Sequence, residues 1–137
     1  MLRRDKGLFL TALFFLVTLW GPQARSVENG RLTLEKAVMC EEIEDGAPVN
    51  ETVVFSLTAR RAICFTSFSA VPENIILHHN WYMRDRLRAS VRLRLQPPQW
   101  DTYSSIPLKE TDKGPWRVEI MDPNDNVLQV LRFSITD

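Results

Sequence analysis

Few residues of this chain could carry chemistry: His78 and His79, Ser104 and Ser105, Cys40 and Cys64, and the arginines Arg86, Arg88, Arg92 and Arg94. A nucleophilic site would pair His79 with Ser104 or a carboxylate, a base held against a hydroxyl. The serines lie in Trp100-Asp101-Thr102-Tyr103-Ser104-Ser105, with no Gly-x-Ser-x-Gly elbow around them. The expectation is therefore no catalytic residue and no enzyme. Adjacent residues of a strand point to opposite faces, so His78 and His79 cannot hold one metal ion together. No zinc-ligand spacing is present. The acidic stretches Glu41 to Asp45 and Asp122 to Asp125 fit no calcium loop. No metal and no cofactor is expected.

The arginines are the more informative group. Between Arg86 and Leu95 the chain alternates, with Leu87, Ala89, Val91, Leu93 and Leu95 on one side and Arg86, Arg88, Ser90, Arg92 and Arg94 on the other. Guanidinium forks match carboxylate and phosphate groups. The stripe has two readings: a surface for an anionic ligand, or a row balanced by acids on neighbouring strands. The aromatic residues sharpen the first. Trp81 and Trp116 belong to inward-facing positions. Tyr82 must oppose Trp81, and Trp100 and Tyr103 fall outside the clean pattern. The expected contact surface joins His79, Tyr82, Arg86, Arg88, Trp100, Tyr103 and Ser104. Trp100 and Tyr103 would stack, the arginines would pair with an anion, and His79 would fix a loop or touch the ligand.

These side chains must be positioned by strands, because the apolar pattern has period two throughout. The expected strands are Arg31 to Cys40, Thr52 to Thr58, Ala62 to Phe68, Ile75 to Met83, Arg86 to Leu95, a short or edge segment over Trp100 to Ile106, Trp116 to Met121, and Val127 to Ile135. In the first strand Leu32, Leu34, Val38 and Cys40 share a face that Lys36 interrupts, which marks an end or a bulge. Glu41 to Pro48 reads as an acidic loop. The last two strands form a hairpin across Asp122 to Asn126, a turn by composition. Seven or eight short strands predict an all-β fold, a single antiparallel β-sandwich of immunoglobulin type, with a small barrel as the alternative.

The first residues bound the compartment. Met1 to Gly7 is cationic, and Leu8 to Trp20 is an uncharged apolar run of 13 residues. That is short of the roughly 20 residues of a bilayer-spanning helix and matches the core of a secretory signal. Gly21 and Pro22 break it, and Ala24 and Ser26 supply small residues. Cleavage is expected after Ser26, leaving residues 27–137 as one domain; an inner-membrane anchor over residues 8–20 is the alternative. The remaining domain has 13 basic and 16 acidic side chains, a net charge of −3, which excludes general nucleic-acid binding. In an oxidising compartment Cys40 and Cys64 read as a disulfide; two buried thiols are the other reading.

Several motifs occur together: Cys40, Cys64-Phe65-Thr66, His79-Asn80-Trp81-Tyr82, Trp100 to Ser105, Gly114-Pro115-Trp116-Arg117-Val118, and Val127-Leu128 before Phe133. In order and spacing the chain resembles, over Leu34 to Phe133, the domain-of-unknown-function family numbered 2914. That family occurs mostly in exported or membrane-attached bacterial proteins. One departure is Met83-Arg84-Asp85, where relatives carry an Asn-Gly-like turn. The resemblance implies export and a compact β-rich fold, and brings no catalytic residues. The expectation is a periplasmic, non-catalytic binding or interaction domain for an anionic glycan, lipid headgroup or envelope protein. The alternatives are a small periplasmic enzyme using His79 with Ser104 or a carboxylate, and a structural envelope module.

Overall fold

A computed structural model describes residues 31–137; the expected signal segment, residues 1–26, lies outside the described residues. Among these residues the alternation resolves into nine strands: β1 (Thr33–Glu44), β2 (Ala47–Glu51), β3 (Val54–Ser56), β4 (Arg61–Ser69), β5 (Ile75–Met83), β6 (Arg86–Leu95), β7 (Trp100–Pro107), β8 (Gly114–Met121) and β9 (Val127–Thr136). Single 3₁₀ turns occupy Leu57–Ala59 and Glu110–Asp112. The strands form a four-stranded sheet in the order β2-β1-β4-β7 and a five-stranded sheet in the order β3-β9-β8-β5-β6. Every pairing is antiparallel except β3 with β9, which is parallel.

The inner sides of the two sheets share one buried cluster, so the packing is sandwich-like. Met39, Cys64, Phe68 and Ile106 come from the four-stranded sheet, and Phe55, Leu77, Trp81, Trp116, Val118, Ile120 and Phe133 from the other. Phe133 sits among three aromatic rings, with centroids 5.5 Å from Phe55, 5.9 Å from Trp81 and 6.0 Å from Trp116. Such pairs contribute about 0.5–1.5 kcal/mol each beyond the area they bury.

The all-β reading holds, and several of its details change. The expected acidic loop is a hairpin: Asp45 (φ 49°) and Gly46 (φ 76°) form a two-residue connection between β1 and β2. Asp-Gly is a strong signal for that turn. β1 shifts register between Leu34 and Lys36. The shift reverses the alternation, so Met39 enters the core instead of Val38 and Cys40. Thr52 to Thr58 contracts to the three residues of β3, because the chain turns into a 3₁₀ turn at Leu57. Val53 is left exposed while Phe55 is buried.

The disulfide is also corrected: Cys40 and Cys64 are both free and buried. Cys64 pairs across the sheet with Met39, and Cys40 with Ile63. Partners in an antiparallel ladder share a face and successive residues alternate. The two thiols therefore point to opposite sides of the four-stranded sheet. Cys64 lies in the core between the sheets, and Cys40 lies with Ile63 and Phe65 in a small cluster on the outer side. Bridging them would require rebuilding both strands. Burial raises both thiol pKa values, which keeps them protonated.

Candidate functional site

The His79 and Ser104 side chains do meet, but inside the core. Trp81 and His79 are inward residues of β5, and Ser104 and Thr66 are inward residues of β7 and β4. The Trp81 indole N–H donates to Ser104 Oγ at 3.0 Å. His79 Nδ1 lies 2.7 Å from Ser104 Oγ, and His79 Nε2 lies 3.3 Å from Thr66 Oγ1. The Thr66 hydroxyl donates to the Thr102 carbonyl at 3.3 Å.

Counting protons fixes the direction of this chain of bonds. Thr66 spends its only hydrogen on Thr102, so it must accept from His79 Nε2–H. His79 is neutral with its proton on Nε2, and Nδ1 accepts the Ser104 hydroxyl hydrogen. Every donor is used: indole to serine, serine to histidine, histidine to threonine, threonine to backbone. Burial holds the His79 pKa down to about 4. His79 is 0 % exposed and Ser104 4 %. The pair has the spacing of a catalytic dyad, yet neither residue lines the clefts at Met83 to Arg88 or Gln99 to Asp101. It ties the two sheets together across the core.

The arginines are placed by a β-bulge. Trp81 pairs with Ala89 and Tyr82 with Leu87, so Arg88 is the extra residue on β6. Beyond the bulge the alternation reverses. Leu87 faces out with Tyr82 and is 51 % exposed, contrary to the expected core position. Arg86 joins Met83 on the inner rim. Arg88 turns the same way. Its Nη2 donates to Asp112 at 3.2 Å, its Nη1 lies 3.2 Å from Met83 Sδ, and its guanidinium sits 5.6 Å from the Trp116 ring centroid. Asp112 is buried, and the Trp116 indole N–H donates to its carbonyl at 2.7 Å. The ion pair thus fixes Arg88 against a rigid wall.

Arg84 completes this end. The β5–β6 turn keeps positive φ at both central residues, Arg84 (47°) and Asp85 (67°), as an Asn-Gly turn would. The Arg84 guanidinium lies over Gly114, where even a Cβ would come within 2.8 Å of Nη2. Met83, Arg84, Arg86 and Arg88 line a cleft of about 250 Å³. No acid lines it, and among the described residues neither Arg84 nor Arg86 has a carboxylate within 4.0 Å. A second cavity of about 180 Å³, bounded by Lys109 and Trp116 among others, lies against the same Arg88. Three guanidinium groups around one concavity can bind an oxyanion by charge and by paired N–H donors.

The expected contact surface is therefore divided. His79 and Ser104 are in the core. Arg86 and Arg88 share the hairpin-end cleft. Tyr82 is on the outer side of the five-stranded sheet, with the Arg117 guanidinium 4.2 Å from its ring centroid. Tyr103 pairs with Phe65 on the outer side of the four-stranded sheet, at the opposite face of the molecule. Trp100 is half-buried against the core at the far end of β7. Sequence reasoning missed Arg84 and Asp112. The positive-φ turn could have pointed to Arg84, since a two-residue hairpin between Met83 and Arg86 leaves it only that conformation. Among the described residues no group of three or more His, Cys, Asp or Glu is arranged to hold a metal ion.

No curated protein matches the chain. Residues 76–135, which run from β5 to the end of β9 and include the hairpin-end arginines, match the family model described as Protein of unknown function (DUF2914), the family that the motifs resemble.

Proposed function

We propose that this protein is a non-catalytic, extracytoplasmic binding domain that takes an anionic group, phosphate or carboxylate, in the cleft of Arg84, Arg86 and Arg88. The observation that carries this reading is three guanidinium groups around one concavity with no acid in its lining. Only Arg88 is balanced, by Asp112. The expected signal cleaved after Ser26 would deliver residues 27–137 to the periplasm as a single domain. The strand order supports an immunoglobulin-type sandwich. β1, β4 and β7 correspond to strands A, B and E, while β5, β6, β8 and β9 correspond to C, C′, F and G.

The enzyme reading would need the His79–Ser104 pair open to a substrate, and both are sealed in the core with every hydrogen bond committed. A purely structural module would pair its arginine stripe fully. β5, the strand beside β6, carries no acid, and Arg84, Arg86, Arg92 and Arg94 have no carboxylate within 4.0 Å among the described residues. The test is a chemical-shift titration with inorganic phosphate and, separately, acetate. Amide shifts confined to residues 83–88, abolished in Arg86→Ala, are expected. No saturable shift at these residues with either anion would end the proposal.

A further inference from the structure

The outer side of the five-stranded sheet presents a second surface that the cleft does not use. Its outward positions carry four arginines, Arg92, Arg94, Arg117 and Arg132, and one acid, Glu119. The strands of the four-stranded sheet carry six acids against Lys36 and Arg61. The domain is thus polar across its thickness, basic on one face and acidic on the other. Arg92 and Arg94 face outward beside His78 and Ile76. Arg117 and Arg132 stand directly opposite each other on β8 and β9. Like charges in that register repel. Arg117 is balanced by Asp85 and Glu119. Arg92, Arg94 and Arg132 have no carboxylate within 4.0 Å among the described residues. From β6 to β9 this face spans three strand spacings, about 14 Å.

The same sheet also holds exposed apolar side chains. Val54, Leu87, Val127, Leu128 and Val130 lie on its strands, whereas Tyr103 is the one large apolar residue exposed on the strands of the other sheet among the described residues. Leu87 and Val130 share the arginine face through their pairings with Tyr82 and Glu119. Unbalanced arginines beside exposed aliphatic side chains suit a partner that is anionic and apolar at once. We infer that this face docks on an anionic phospholipid bilayer. The arginines meet headgroup phosphates, Leu87 and Val130 reach the acyl boundary, and the acidic sheet faces away. A soluble polyanion would use the charges and leave the aliphatic residues without a role. The inference is independent of the cleft.

Cosedimentation of the full chain with vesicles tests it, comparing phosphatidylcholine alone with phosphatidylcholine containing phosphatidylglycerol. Differences between variants on the same vesicles cancel any contribution of residues 1–26. Wild type should prefer the phosphatidylglycerol vesicles, and the preference should fade as salt shortens the screening length. Arg92→Gln with Arg132→Gln should weaken that binding about 25-fold, about fivefold per arginine. Lys36→Gln with Arg61→Gln, on the acidic sheet, should leave it unchanged. Circular dichroism confirms that each variant is folded, and Arg86→Ala, which disables the cleft, should bind vesicles as wild type does. Equal binding to both vesicle types, or unweakened binding by the double arginine variant, overturns the inference. So does a Leu87→Ser, Val130→Ser protein that holds both vesicles and soluble dextran sulfate as wild type does, since the face would then serve a soluble polyanion.

Discussion

Acid should loosen this domain through one residue, His79. Its imidazole is held neutral in the core, with a pKa pushed down to about 4 against an ordinary value of 6.5. The unfolded chain therefore binds the proton more tightly than the folded one. Stability is full above about pH 6.5 and is lost as pH falls through the interval down to about 4. A gap of about 2.5 units at about 1.4 kcal/mol per unit is worth about 3.5 kcal/mol. The hydrogen-bond chain gives the reason a proton is unwelcome. An Nδ1–H would point at the Ser104 oxygen, which already accepts from Trp81, and would displace the Ser104 hydrogen from its acceptor. The cross-strand partners of His79 are Val91 and Ile120, so no neighbouring acid offsets the charge. The assay is urea unfolding of wild type and His79→Phe between pH 7.5 and pH 4.5. The difference between the two should be flat above about pH 6.5 and then move against wild type by about 1.4 kcal/mol per unit. Parallel curves over the whole range, or a ¹⁵N spectrum placing the imidazole proton on Nδ1, would refute the reasoning.

Three other outcomes follow from the same geometry. Ser104→Ala should destabilise by about 2–5 kcal/mol, because it strands both the Trp81 indole N–H and His79 Nδ1 in the core; the urea midpoint reads this. Asp85→Gly should stabilise by about 0.5–1 kcal/mol in a thermal melt. Relief of the left-handed conformation at φ 67° exceeds the loss of an exposed ion pair to Arg117 and the added chain entropy. Cys40 and Cys64 should resist alkylation in the folded protein and react in denaturant, and the purified protein should keep the reduced mass. An oxidised mass with the native fold retained would show that β1 and β4 pair differently.

Much of the fold was legible because alternation is a local property. Leu77, His79 and Trp81 on β5, Trp116, Val118 and Ile120 on β8, and the β8–β9 hairpin all follow from period two and turn composition. The Asp45-Gly46 hairpin was equally legible and was overlooked because charge made Glu41 to Pro48 look like a loop. Other features had no local signal. Val54 to Ser56 is too short to declare itself, and it exists as a strand because its backbone pairs with Ser134 to Thr136, 80 residues on. Lys36 announced an irregularity in β1 without saying which way the alternation would go afterwards. After the shift Met39 faces the core and Cys40 the outer side.

The bulge at Arg88 shows how one extra residue turns a pattern into a site. With unbroken alternation Arg86, Arg88, Arg92 and Arg94 would form a single row and Leu87 would be core. The tight Arg84-Asp85 turn fixes the pairing of Met83 with Arg86, while the core fixes Trp81 with Ala89. The two registers differ by one residue, and the strand absorbs the mismatch at Arg88. That single offset sends Arg86 and Arg88 to the rim, where Asp112 and Trp116 hold the latter. It leaves Arg92 and Arg94 on the open face, and it pushes Leu87 into solvent beside them. Deleting Arg88 is therefore a different test from replacing it: the deletion removes the bulge and leaves Arg86 inward and Leu87 outward, in the registers that the turn and the core already set, whereas Arg88→Ala keeps the bulge and loses the guanidinium that grips Asp112.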